Sequence, residues 1–207
     1  FIVTGASTYL GVAASQARQE LWDSVETERR RMVELAGQRG LWEEVLESCE
    51  LALTHDPMDS TWFRLERVRA LEALQRSDDA REEIQQLASE EIQGTHKGTV
   101  LLAQGDQQLL VEDTPETLEL IRQARKIGLS EADDAYAESL LSEKTTDAIA
   151  ALKRCLALRP YDQKASRQLG FYQICLGRHD EAQTRADIAA QMFPNDPSFV
   201  VLRALSM

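Results

Sequence analysis

The chain has 207 residues, of which 43% are hydrophobic and 6% aromatic, and it carries a formal net charge of −12. This length and apolar content suffice for one or two domains with a buried core. The abundance of Ala, Leu, Glu, Gln and Arg favours helix, and no run of alternating β-branched and aromatic residues predicts a sheet. So acidic a surface repels phosphate backbones, which argues against nucleic acid as a partner.

Residues 1–17, FIVTGASTYLGVAASQA, carry no charge and are rich in small and apolar side chains. A helix that spans a bilayer needs about 20 apolar residues. We therefore predict the remnant of a membrane anchor here, which would make the protein membrane-associated through its N-terminus. A helix docked on the protein and a leftover of processing are the alternatives. Residues 18–207 are then the folded body, and the sequence does not say on which side of the membrane it lies.

The segment ETERRR, residues 26–31, continues the helical pattern but is polar on every side. Such a segment buries little, so it predicts a solvated stalk between the anchor and the body. The alternative is an ordinary first repeat with a wet outer face.

A first helical pair closes shortly after this segment. Gly40 marks the turn between its two helices, Val45, Cys49 and Ala52 form a stripe at helical spacing, and Pro57 ends the second helix.

Two weaker copies of the same arrangement follow. The stripe of the first copy is Ala80, Ile84 and Leu87, and that of the second is Thr117, Ile121 and Ala124. Thr114 and Pro115 supply an N-cap and a first-turn proline for the second helix of the later copy. EIQGTHKG, residues 91–98, predicts a loosened joint between the two copies, because two glycines and a His-Lys pair interrupt the helical pattern.

The last two units repeat after 34 residues: Ala148, Cys155 and Pro160 take the places of Ala182, Ala189 and Pro194. In the last unit, residues 163–196, Leu169 and Gly170 place a large and a small side chain together on the first helix. Gly177 then breaks the helix, and Asp180 and Glu181 open the next one, where negative charge is favoured. A period of this length is typical of a stack of helical pairs.

This pattern resembles the tetratricopeptide repeat, with departures at Ser166, Gln173 and Ala186. The resemblance implies an all-α fold, a right-handed α-solenoid of about five helix–turn–helix units over about residues 26–196. Asp196 and Pro197 begin a further helix, SFVVLRALSM, which either caps the stack or begins a sixth unit.

The potentially reactive side chains are scattered. Cys49, Cys155 and Cys175 each lie on the apolar stripe of a predicted helix, which predicts small buried hydrophobic residues rather than a disulfide or a metal site. His55, His96 and His179 share no helix face at metal-ligand spacing. We therefore predict no catalytic residue, no metal and no cofactor.

The resemblance also implies that the first helix of each unit lines a concave groove, where peptides or helices bind. The candidate partner-binding residues on that face are Arg30, Arg69, Leu102, Leu109, Lys164, Arg167 and Phe171. Basic and apolar side chains inside an acidic shell favour an acidic or C-terminal peptide segment. The alternative is that the arginines pair with local glutamates and the apolar side chains pack against neighbouring repeats.

The sequence thus predicts a non-enzymatic protein–protein interaction scaffold, tethered to a membrane, that binds a protein partner of a membrane-associated complex in this groove. One alternative is the sensory or docking region of a larger membrane enzyme, such as a bacterial kinase, and another is a hydrolase that depends on a histidine. The scaffold requires neighbouring helix pairs that pack in chain order and leave a long curved surface open. A closed bundle, with distant segments in contact, would contradict it.

Overall fold

A computed structural model of the protein describes residues 3–55, 57–111 and 114–207, and the side chains of its first helix from Glu20 onward. These residues form eleven helices and no strand. In chain order the helices are α1 (Val3–Gln38), α2 (Trp42–Leu53), α3 (Ser60–Ala73), α4 (Ser77–Ser89), α5 (Gly94–Leu109), α6 (Pro115–Ile127), α7 (Glu131–Leu141), α8 (Thr145–Leu158), α9 (Gln163–Cys175), α10 (His179–Met192) and α11 (Pro197–Leu205).

The helices pair into five consecutive hairpins, each of which packs against the next one in chain order. The hairpins are α1–α2, α3–α4, α5–α6, α7–α8 and α9–α10. The last helix, α11, packs on α9 and α10 and buries Phe199 and Leu202. The all-α solenoid of five tetratricopeptide-like units is therefore confirmed, because each helix pair buries its apolar face against its sequence neighbours.

Three of the hairpins turn through the same backbone conformation. Gly40, Gln75 and Gly177 hold φ angles of 71°, 61° and 70° in the first, second and fifth hairpins. In each turn the following N–H donates to the carbonyl five residues back, as that of Leu41 does to Ala36. This is the usual left-handed end of a helix, which glycine adopts without strain and Gln75 adopts against its side-chain preference.

The two predicted helix starts are confirmed, whereas the predicted loose joint between the second and third units has a different outcome. Thr114 caps α6 and Asp196 caps α11, each with a proline in the first turn, as predicted. The predicted loose joint at residues 91–98 is only partly present, because α5 already begins at Gly94. Gly98 lies inside that helix, where a β-carbon would come within 2.2 Å of the Gly128 carbonyl oxygen. Close packing, and not a chain break, explains this glycine.

The predicted membrane anchor is wrong. The first helix runs without a break through residue 17 to Gln38, and within the described part of the chain no helix is both long and apolar enough to cross a membrane. The physical reason is that Arg18, Glu20 and Asp23 enter this helix within the roughly 20 residues that a span would need. Membrane association through the N-terminus is therefore withdrawn; residues 1 and 2 of the predicted segment lie outside the described residues.

The ETERRR segment is part of the first repeat and not a free stalk. A carboxylate oxygen of Glu26 accepts a hydrogen bond from the Met58 N–H at 2.9 Å. The Arg30 guanidinium lies 5.1 Å from the centre of the Trp62 ring and 3.1 Å from an Asp59 carboxylate oxygen. The alternative of an ordinary first repeat is what the structure shows.

The three cysteines differ in burial. Cys49 and Cys155 are buried as predicted, and burial raises the pKa of the Cys49 thiol to about 12. The prediction is wrong for Cys175, which is exposed because it is the last residue of α9, next to the turn.

The buried apolar residues show that the two ends of the stack meet. One hydrophobic cluster contains Val33 of the first hairpin together with Phe193 and Phe199 from the end of the chain. A second cluster holds the middle of the stack and contains Ile121, Leu152 and Leu169 among its members. The first and fifth hairpins therefore share one core although they are far apart in sequence.

Candidate partner-binding site

The first helices of the second to fifth hairpins surround a cavity on the inner face of the stack. Its smaller part, named the enclosed part because four hairpins line it, has a volume of about 80 Å³ and is lined from α3, α5, α7 and α9, with Trp42 and Phe193 at one side. A wider mouth of about 310 Å³ adjoins it, and Thr95, His96 and Ser130 line that mouth. Ligand pockets usually measure about 300–1,000 Å³. The mouth therefore has room for a side chain or a chain end, and the enclosed part does not admit a peptide.

A layer of polar groups crosses the enclosed part. The Lys164 ammonium lies 2.8 Å from a Glu72 carboxylate oxygen and 2.7 Å from one of Asp106. The Tyr136 hydroxyl donates to the other Asp106 oxygen at 2.7 Å. These four residues come from α3, α9, α5 and α7, so four different hairpins meet in this one layer.

Burial and neighbouring charges together shift the pKa values of Lys164, Glu72 and Tyr136 in this layer. Burial alone would lower the pKa of Lys164, but Asp106 and Glu72 raise it, so the ammonium keeps its proton. Burial raises the pKa of Glu72 even though Lys164 opposes it, because two carboxylates share a single ammonium. Burial and the Asp106 charge raise the pKa of Tyr136, which therefore remains a hydroxyl donor.

A second layer lies where the enclosed part meets the mouth. Asp133 is 2.7 Å from the Arg159 guanidinium and 3.6 Å from that of Arg69, and it accepts from the Ser130 hydroxyl at 2.8 Å. Burial by itself would raise the pKa of Asp133, but the two guanidinium groups lower it to about 2. Arg159 also lies 3.2 Å from Asp162, so this layer joins α3, α7 and the segment before α9.

The structure brings three of the seven predicted partner-binding residues together. Arg69, Leu102 and Lys164 all line the enclosed cavity. The two charged residues of the three pair with neighbouring carboxylates. Arg69 pairs with Glu66 and Asp133, and Lys164 pairs with Glu72 and Asp106. The predicted inner position and the alternative of local pairing therefore both apply to these residues.

The other four predicted residues lie elsewhere. Arg30 packs on Trp62 between the first and second hairpins, and Leu109 packs half-buried against the middle cluster. Arg167 is half-buried, 3.9 Å from Asp196. Phe171 is 53% exposed and does not line either part of the cavity.

The sequence analysis missed the acidic half of the site. Glu72 follows Arg69 by three residues and Asp106 follows Leu102 by four, so each lies on the same helix face as a predicted residue. The helical spacing therefore carries the signal for these two acids.

The inner face is not the open trough that the sequence predicts, because the first hairpin closes onto the fifth. The Trp42 indole N–H donates to the Met192 carbonyl at 2.9 Å, and its ring stacks on Phe193 with centres 5.4 Å apart and planes inclined by 17°. The Tyr161 ring packs on the same indole, with the two ring centres 6.4 Å apart. Distant segments thus touch, although the hairpins between them still stack in chain order.

Metal chemistry finds no support in this arrangement. Nowhere in the described ranges do three or more His, Cys, Asp or Glu side chains converge as a metal site would require. His96 instead lies 3.0 Å from the Asp59 carboxylate at the edge of the mouth.

Comparison with known proteins adds little to this geometry. No protein-family model matches the chain, and no curated protein matches it. A solved structure that is similar is that of a thermophilic TPR protein from Thermus thermophilus, at 20% identity and a TM-score of 0.46 over 87% of this chain and 98% of that chain. So distant a likeness carries no functional argument, and the fold assignment rests on the hairpins themselves.

Proposed function

We propose that the chain is a non-enzymatic scaffold that binds a partner protein on the inner face of its stack. The observation that carries the proposal is the convergence of charged and polar side chains from four hairpins on one cavity. Removing charges from water is costly, and well-packed apolar residues of similar volume often hold a fold as well or better. A role in recognition explains why four hairpins direct charged groups to one cavity, whereas the buried Glu83 pairs with Arg64 and Arg67 within a single hairpin.

The chemistry of the partner follows from the groups that line the mouth. Arg69, Arg159 and His96 stand beside Glu34 and Glu66, and Trp62 and Tyr161 supply aromatic walls. Carboxylates and backbone carbonyls of an incoming segment pair with the guanidinium groups, and its N–H groups with the acids. This supports the predicted groove binding of a peptide or chain end; Arg30, Leu109, Arg167 and Phe171 remain candidates outside the cavity.

Photocrosslinking tests this proposal directly. A benzoylphenylalanine at Thr95 or Thr99, which line the mouth, should capture one protein partner in cells of the source organism. The same probe at Gln123, an exposed position on the outer helix α6, is the matched control. A partner captured equally well from Gln123, or from none of the three positions, would contradict binding on the inner face.

No observation on the described residues favours a docking region of a larger membrane enzyme over a scaffold. A histidine-dependent hydrolase would need a second group to work with its histidine. His96 pairs with the α3 N-cap Asp59, which also accepts from the Trp62 N–H, so this carboxylate already has a structural role.

A further inference from the structure

The contact that closes the stack is made by a turn and not by a helix interface. Neither α1 nor α2 packs along α9, α10 or α11. Its hydrogen bond and ring contacts join Trp42 to Met192, Phe193 and Tyr161, and the Gly40 backbone lies against Met192. The closure thus joins a turn of the first hairpin to the end of the fifth inside the shared hydrophobic core, and local openings of proteins occur where buried contacts are few.

Gly40 is fitted to this contact. Its backbone lies so close to the fifth hairpin that a β-carbon would come within 2.7 Å of the Met192 carbonyl oxygen. Gly177 forms the equivalent turn in the fifth hairpin with nearly the same φ, and a β-carbon there would meet nothing within 4 Å. Both glycines thus adopt a left-handed φ that favours glycine, but only at Gly40 would a side chain also push the first and fifth hairpins apart.

The charges on the inner face tolerate separation of the two ends. If the second hairpin moved away from the fifth, Lys164 would lose Glu72 but keep Asp106. Arg69 would keep Glu66 on its own helix, and Asp133 would keep Arg159. No cation is left unpaired, and Glu72, which would lose its ion pair with Lys164, would be brought toward water by the same movement, so opening leaves no buried lone charge.

We propose that the Trp42 contact is a latch: the chain exchanges between the closed form described above and an open form, and the partner reaches the enclosed part of the cavity only in the open form. This inference rests on the proposed function, since it concerns access to the same site. It also explains how a cavity too small for a peptide belongs to a scaffold: the groove forms when Trp42 leaves Phe193. A partner that binds the open form alone shifts the exchange toward it.

The reactivity of Lys164 reports opening without any partner. N-acetoxysuccinimide is the probe, and mass spectrometry follows acetylation of Lys164 against that of Lys153, whose side chain is 51% exposed. In the wild-type protein Lys164 should react much more slowly than Lys153. Gly40→Ala should accelerate Lys164 about tenfold or more, since minor forms of such exchanges are populated at roughly 0.1–10%. Lys153 should not change.

Gly177→Ala is the matched control, because it imposes the same backbone strain without touching the closing contact. It should leave the rate at Lys164 within a factor of about two of wild type, well below the tenfold that 1.4 kcal/mol represents. Trp42→Phe, which keeps a ring but loses the N–H donor to Met192, is a second and milder variant and should accelerate Lys164 by less than Gly40→Ala. Circular dichroism establishes that each variant is folded.

Three results would overturn the latch: equal acetylation of Lys164 and Lys153 in the wild type, equal rates in folded Gly40→Ala and Gly177→Ala, or no acceleration in folded Trp42→Phe when Gly40→Ala does not fold. Because the measurement contains no partner, failure of the proposed binding function would leave its outcome unchanged. Conversely, photocrosslinking at Thr95 could capture a partner while the acetylation rate of Lys164 is the same in all variants.

Discussion

Two faces of the same hairpins are held together by different chemistry. Where hairpins stack, Phe63 and Leu152 are wholly apolar and 0% exposed. On the inner face the Asp133 side chain is almost as inaccessible, at 8% exposed, yet it is charged and needs two guanidinium partners. Apolar burial is non-directional and holds neighbours in order, whereas a buried ion pair requires specific partners at specific places. The stacking faces therefore hold the hairpins in order, and the inner face links particular hairpins across the cavity.

The largest effect should come from the inner face. Lys164→Met leaves Glu72 and Asp106 without their ammonium, and removing one partner of a buried pair costs about 3–5 kcal/mol. Urea denaturation at pH 7 measures the loss. Lys153→Met, which removes an exposed partner of Glu181, is the control and should cost less than about 1 kcal/mol. Equal losses in the two variants would show that the Lys164 layer contributes nothing special.

The same variant should respond to pH in a way that apolar truncation does not. Burial raises the pKa of Glu72 above its unfolded value, so its ionised form destabilises the fold and proton uptake relieves this as the pH falls. The deficit of Lys164→Met should therefore shrink between pH 7 and pH 5. A deficit that stays constant would place the cause in lost packing.

At the stacking face, Leu152→Ala should cost about 2–5 kcal/mol at any pH in that range, because it leaves a cavity in the middle cluster. Leu158→Ala, on the same helix at a side chain that is 52% exposed, is the matched control and should cost under about 0.5 kcal/mol. A strong pH dependence of the Leu152→Ala deficit would contradict the division between the two faces.

Asp133 should make the stability of the chain fall at low pH. Its pKa is lowered to about 2 in the folded chain, so its contribution is present above the ordinary unfolded value of 3.8 and is lost as the pH falls toward 2. Linkage puts that contribution at about 2–3 kcal/mol. Asp133→Asn should therefore lose stability at pH 7 and show a flatter decline between pH 5 and pH 2 by urea denaturation. Asp78→Asn, at a side chain that is 94% exposed, should keep the wild-type slope.

The smallest effect should be a gain at a turn that belongs to neither face. Gln75→Gly should stabilise the chain by about 0.5–1 kcal/mol, because glycine relieves the left-handed φ of 61° but increases the freedom of the unfolded chain. Thermal denaturation compares it with Gln86→Gly inside α4, three residues before the helix ends, which should destabilise by about 1 kcal/mol. A loss of stability in Gln75→Gly would mean that its side chain matters more than its backbone.

Particular residues show which features of the fold can be predicted from the sequence. Gly40 and Gly177 identified two turns, and Pro115 and Pro197 identified two helix starts, because these residues act through local backbone geometry. The prediction from sequence was wrong at Gly98, where the reason is the close approach of the end of α6, and at the N-terminal segment, where an uncharged run of small and apolar residues suggested a membrane anchor.

By itself the sequence determined the five hairpins and their order, since a period of 34 residues repeats the same local signals of turn, stripe and stop. The resemblance to the tetratricopeptide repeat also implied an inner position for Arg69, Leu102 and Lys164, and these three residues line the cavity. Only the tertiary structure decided that Trp42 meets Phe193 and that Lys164 meets Glu72. Small rotations between successive hairpins add up along the stack, and their sum determines whether its ends meet.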